Sequence, residues 1–155
     1  MTNESLQFIG IIISALSALA ASISAIYSAK SANTTISLYK QEKKERLIDK
    51  LNRILEIGIE HPYLESKHFT SKWNDHKETD DERYLRYDMY CNLIFNYLNN
   101  VYEHFEFDKN KVEEFVDIKT WVRLHKNNWL NPIDENENID GYDAAFKTFI
   151  NSYIK

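Results

Sequence analysis

From Ser5 to Ala29 the chain runs for 25 residues without one charged side chain, and no other feature constrains it as much. As a helix that run measures about 37 Å at ~1.5 Å per residue. A bilayer core needs roughly 20 predominantly apolar residues, so the run predicts a transmembrane helix over 6–30. A cleaved signal peptide ending near Ala18-Leu19-Ala20 is the competing reading. Against it, the first seven residues carry Glu4 and neither Lys nor Arg, and the apolar stretch exceeds a usual signal core. A buried helix of a water-soluble fold is the third reading.

The flanks give an orientation. Residues 30–53 hold Lys30, Lys40, Lys43, Lys44, Arg46, Lys50 and Arg53 against Glu42, Glu45 and Asp49, whereas no Lys or Arg precedes the run. By the positive-inside rule the N-terminus lies outside and the rest of the chain is cytoplasmic, on a single-pass inner-membrane protein. The same basic segment suits anionic lipid headgroups, each Lys or Arg contributing about 1 kcal/mol close to the surface.

Inside the run two rows alternate in steps of three and four. Gly10, Ser14, Ser17, Ala21, Ser24, Ser28 and Ser31 form a small, hydroxylated row; Ile9, Ile12, Leu16, Leu19, Ile23 and Ile26 form a bulky one. At ~3.6 residues per turn the rows lie on opposite sides of a helix. Small residues let membrane helices approach closely, and a sustained 3.5-residue repeat implies a left-handed bundle. Ser14, Ser17, Ala21, Ser24 and Ser28 are therefore the expected self-association face, and in several copies the lining of a pore. The plain reading is that these hydroxyls bond back to their own helix.

Beyond Lys30 the composition is that of an ordinary domain, with only 3 Gly and 2 Pro in the whole chain, which disfavours a turn-rich sheet fold. A basic juxtamembrane helix is expected over 31–60, with Leu47, Leu51, Ile54, Leu55 and Gly58 on one face, ended by His61-Pro62. A less regular connector follows from Tyr63 to Lys77. Asp80 or Asp81 opens a long helix to about Glu106, along which Leu85, Met89, Ile94, Leu98, Val101 and Phe105 run, with tyrosines around them. Asp108 caps a helix over roughly 110–128, Asn131-Pro132 stops it, and an acidic, Asn-rich loop spans 133–141. Asp140 caps a last helix whose apolar side is Tyr142, Phe146, Phe149, Ile150 and Tyr153. The expected class is all-α, one membrane helix followed by a small helical bundle over 62–155.

Enzyme signatures are missing: there is no P-loop, no dinucleotide glycine pattern and no serine elbow, so no catalytic residue and no cofactor is expected. The five histidines (61, 68, 76, 104, 125) stand at no metal-ligand spacing, and the single Cys91 forms no internal disulfide. Residues 54–155 carry 12 Lys and Arg against 20 Asp and Glu, a net of −8 that repels bulk DNA or RNA. Positive charge is focused in two places. Lys67, His68, Lys72, Trp73, His76 and Lys77 lie in the connector. Trp121, Arg123, His125, Lys126, Asn127, Asn128 and Trp129 lie at a helix C-terminus, where cations also answer the helix dipole. Cations, amides and an indole together suit a small anionic nucleotide, so Lys67, His68, Lys72, Trp73, Arg123, His125, Lys126, Asn127 and Asn128 are the candidate ligand residues. A core role for the tryptophans is the simpler alternative.

The order of features is an apolar anchor, a basic helix, His61-Pro62, a Tyr/Asn-rich helix (Tyr90-Cys91-Asn92 to Tyr97-Leu98-Asn99-Asn100), Trp121 and Trp129-Leu130-Asn131-Pro132. It resembles small bacterial membrane proteins of antiphage defence, in particular the cyclic-oligoadenylate-activated membrane effectors of type III CRISPR systems, of the Csx type. The resemblance covers the whole chain as architecture and carries over no individual binding residue. It implies an oligomer, drawn as a tetramer, that binds cyclic tetra-adenylate and then perturbs the membrane through its anchor. The alternative is a membrane-tethered module that docks a partner protein and has no nucleotide ligand; a holin-like or toxin peptide fits the long C-terminal part poorly.

Overall fold

The computed structural model describes residues 3–133 and 140–154; the side chains of 3–6, 8–10, 13 and 15 lie outside the described part, as does most of the acidic loop expected over 133–141. Every regular element among the described residues is helical. They are α1 (Asn3–Glu60), a 3-10 turn (Pro62–Glu65), α2 (Lys67–Thr70), α3 (Trp73–His76), α4 (Glu82–His104), α5 (Lys109–Phe115), α6 (Ile118–Leu130) and α7 (Ala144–Asn151). The chain is thus all-α, as its scarcity of Gly and Pro implies. It divides into two units between Lys43 and Lys44.

In the first unit the described side chains of α1 are exposed, including Ile11, Leu16, Leu19, Ile23 and Ile26 of the apolar run. Three hydroxyls outside the small row bond back to their own helix: Ser22 Oγ donates to the Ala18 carbonyl at 2.8 Å, and Thr34 and Thr35 to the carbonyls of Lys30 and Ser31 at 3.0 Å. Among the described residues no helix is long and apolar enough to cross a membrane. The expected span of 6–30 therefore finds no support there. Ser17, Ser22, Ser24 and Ser28 dilute the described stretch, and Leu6, Phe8, Ile9, Gly10, Ile13 and Ala15 have side chains outside it.

The second unit holds the core. α1 contributes Leu47 and Ile54, fully buried, and Leu51, partly so; Leu55, expected beside them, points outward. At Gly58 the approach is close: a Cβ there would stand 3.1 Å from the Tyr90 hydroxyl oxygen, which would have to give by a few tenths of an ångström.

Along α4 the expected face is partly inverted. Tyr84, Tyr87, Tyr90 and Tyr97 are buried with Cys91, Ile94, Leu98 and Val101, whereas Leu85 is 46% and Met89 69% exposed. Steps of three and four from Tyr84 through Tyr87, Cys91, Ile94, Leu98 and Val101 trace one stripe, and Leu85 and Met89 fall behind it. Tyrosine suits an interior whose edges offer polar partners, since its ring is apolar and only its tip needs a hydrogen bond. Tyr84 is sandwiched between Phe69 of α2 at 4.4 Å and His76 of α3 at 4.8 Å, so the irregular connector is pinned to α4 by ring stacking.

Aspartates set most helix starts. Asp81 accepts from the Arg83 N–H at the head of α4, and Asp108 from the Asn110 and Lys111 N–H groups at the head of α5. The single helix expected over 110–128 is instead two. Val116 is extended, and Asp117 accepts from the Thr120 N–H, capping α6 afresh. The last helix is capped by Asp143, which accepts from the Phe146 N–H, and not by Asp140. α4 ends with Glu106 and Phe107 both at positive φ, 54° and 67°. Their N–H groups donate to the carbonyls of Glu103 and Tyr102, and the Phe107 ring meets Tyr102 at 5.2 Å, which is a Schellman closure with its apolar contact.

Candidate functional site

Both basic segments lie on elements that pack together, since α2 and α3 each lie against α6. Lys67, His68, Lys72 and Arg123 are exposed, while Lys126 and Asn127 are half-buried. The remaining three candidates lie in the core. Trp73 is 0% exposed; its indole N–H donates to the Asn131 carbonyl at 2.8 Å, and its ring meets Tyr87 edge-on at 5.4 Å. His125 is 0% exposed, with Nδ1 3.1 Å from the Tyr87 hydroxyl. Asn128 is buried and donates to Asp88 at 2.8 Å. Each is held by a partner from a distant part of the chain. The Asn127 backbone carbonyl accepts from the Asn131 N–H and side-chain amide at 3.0 and 3.2 Å and closes α6.

Sequence reasoning missed the polar group that surrounds His125. Around His125 stand Tyr87, Tyr90 and Cys91 of α4 and Glu65 of the 3-10 turn. Cys91 Sγ lies 3.7 Å from His125 Nδ1, and Glu65 Oε1 lies 3.6 Å from Nε2. That same Glu65 oxygen accepts from the Tyr90 hydroxyl at 2.5 Å. Tyr87 and Cys91 are one turn apart on α4, and that spacing is the sequence signal for the grouping.

Cys beside His and Glu invites comparison with a nucleophilic site, and the electrostatics oppose it. Burial drives the Cys91 thiol well above its ordinary value, and it does the same to the Tyr87 and Tyr90 hydroxyls. All three stay neutral, and a neutral buried thiol is inert. Burial also works to raise Glu65, but the facing His125 ring and the Tyr90 hydroxyl outweigh it and hold this carboxyl below its ordinary value. The cluster is a polar joint within the core. Among the described residues no three His, Cys, Asp or Glu side chains gather as a metal-binding group.

An open depression of about 370 Å³ lies at the α5–α6 turn, lined by Glu113, Glu114, Asp117 and Lys119 among others. Two of its acids are already engaged: Glu113 takes Lys119 at 2.8 Å and the Tyr153 hydroxyl at 3.0 Å, and Asp117 caps α6. No family model, curated protein or solved structure matches the chain.

Proposed function

We propose that the chain is a membrane-anchored, self-associating interaction module that works by binding and not by catalysis. One observation carries this reading: Ile11, Ile12, Leu16, Leu19, Ile23 and Ile26 of α1 are all exposed, in a run that holds no charge from Ser5 to Ala29. Such surface is unfavourable in water at about 25 cal/mol per Å² and is at home in hydrocarbon. The basic residues from Lys30 onward favour a cytoplasmic C-terminal side at the inner membrane. Ser14, Ser17, Ala21, Ser24 and Ser28 are the side on which a second copy packs.

The test is membrane extraction of the full chain. It should stay with the membrane through an alkaline carbonate wash, and Leu16→Asp with Leu19→Asp should release it. Release of the unaltered chain by that wash would overturn the anchor. Oligomers in mild detergent that survive Ser17→Leu with Ser24→Leu would overturn the packing side.

A second reading has its own observation. The packing of α2 and α3 on α6 puts Lys67, His68, Lys72, Arg123 and Lys126 on neighbouring elements. That arrangement suits a small polyanion, and the resemblance to antiphage membrane effectors points to a cyclic oligoadenylate such as cyclic tetra-adenylate. With Trp73, His125 and Asn128 in the core, recognition would rest on surface cations, which makes the affinity steeply salt-dependent. Calorimetry of the full chain in nanodiscs with cyclic tetra-adenylate decides it. Binding that Lys72→Glu with Arg123→Glu abolishes supports a defence effector, and no heat of binding leaves the plain interaction module.

A further inference from the structure

Within the second unit, α1 carries exposed charge in two rows. Glu45, Asp49 and Glu56 form one, Arg46, Lys50 and Arg53 the other, and all six side chains are exposed. Leu47 and Ile54 are buried, so neither row is the face that α1 gives to the core. Arg46 and Lys50 each directly follow an acid, and one residue of helix is about 100° of turn and ~1.5 Å of rise. The rows therefore lie on different sides of α1 at nearly the same heights. Ile48 and Leu55, which precede Asp49 and Glu56, border the acidic row and are 39% and 45% exposed.

Rows of like charge cost a lone helix. Glu45 and Asp49 repel at a spacing of four, as do Arg46 and Lys50. Opposite charges also meet along α1, as where Arg53 donates to Glu56 at 3.1 Å. Those two side chains are 72% and 59% exposed, so water competes and the pair offsets little. A neighbour that faced the acidic row with cations and the basic row with acids would offset both repulsions. A second copy of α1 carries both, at matching heights.

We propose that the basic row of one copy docks on the acidic row of the next. Arg46 and Lys50 then stand level with Glu45 and Asp49 of the neighbour, and Arg53 within one turn of its Glu56. The aliphatic stems of the cations lie across Ile48 and Leu55, which gives the contact its apolar share. An antiparallel two-fold pair would set each row against itself, so the copies run parallel. That direction rests on the membrane anchor of the proposed function, because copies held by the same end share it. Each copy takes one neighbour on each side, and such a contact closes as a ring.

Sedimentation of the full chain in mild detergent tests this, with Ser17→Leu and Ser24→Leu present throughout so that the small row contributes nothing. Assembly should persist at low salt and weaken about tenfold on going from about 0.05 M to about 0.5 M salt. Arg46→Glu, Lys50→Glu and Arg53→Glu together should leave monomers, as should Glu45→Lys, Asp49→Lys and Glu56→Lys together. The two variants mixed should assemble, and a chain carrying all six changes, which exchanges the rows, should assemble alone. Monomers at low salt before any charge is changed overturn the proposal. So does assembly of either three-change variant by itself, or monomers in both the mixture and the six-change chain. The carbonate wash reads the anchor separately, so a failed anchor and a failed charge contact give different results.

Discussion

The Asn128 side-chain amide donates to the Asp88 carboxylate at 2.8 Å inside the core, tying α6 to α4. Asp88 is 9% exposed and Asn128 1%, so neither can turn to water when the other is removed. A hydrogen bond to a charged group is worth about 1.5–3 kcal/mol, and an orphaned buried acceptor adds its own penalty. Asn128→Ala should therefore destabilise by about 2–3 kcal/mol in urea unfolding. Combining it with Asp88→Leu should cost less than the sum of the two single changes, because the double variant leaves no buried carboxylate behind. Strict additivity would show that the pair is not coupled.

Trp73 and Lys72 are adjacent in sequence and opposite in fate. Trp73→Ala should cost about 3–5 kcal/mol, since it empties a fully enclosed indole site and loses the bond to Asn131. Lys72→Ala, on the surface, should stay within about 0.5 kcal/mol. Chemical denaturation of both variants checks the contrast, and equal effects would place Trp73 outside the core.

At the α4 terminus Glu106 is the first of two residues at positive φ and holds the place where glycine is the usual occupant. Comparing Glu106→Gly with Glu106→Ala removes the carboxylate from both and isolates the backbone. The glycine variant should be the more stable by about 1 kcal/mol, read as a higher melting temperature. Equal melting temperatures would mean the loop relaxes out of the left-handed region.

Glu65 gives a pH signature. Its carboxyl lies below its ordinary value in the folded chain, so the unfolded chain binds the proton more readily. The resulting stability is complete above the ordinary glutamate value of about 4.3 and fades as pH falls through the lower folded value. The stability difference between the unaltered chain and Glu65→Gln should stay level from pH 7 to about 5 and shrink toward pH 3. A difference that grows on acidification would reverse the sign and refute the arrangement.

Legibility in the sequence followed the range of the interaction. Asp81 and Asp108 were readable as caps because a cap needs only the N–H groups two or three residues ahead. Asp117 was equally qualified but stood inside a continuous apolar period, so the break between α5 and α6 stayed hidden. Asp140 and Asp143 both precede the last helix, and only the packing of Phe146 and Phe149 against Tyr102 selects the second. On α4 the apolar residues Leu85 and Met89 competed with the tyrosines for the interior. Hydropathy alone ranks Leu and Met first; partners for the hydroxyls on α6 and the 3-10 turn reversed that order.

The sequence by itself determined that this chain is helical, where α4 and α5 begin, and that its first thirty residues carry an uncharged run with opposed small and bulky rows. These properties depend on residues within about four positions of one another, so they are present before any long-range contact forms. The tertiary structure decided what became of the two basic segments. The partners that bury Trp73, His125 and Asn128 lie 58, 38 and 40 residues away. A polar side chain in isolation reads as available for a ligand. It becomes part of the core only when the fold brings a distant donor or acceptor to offset its desolvation.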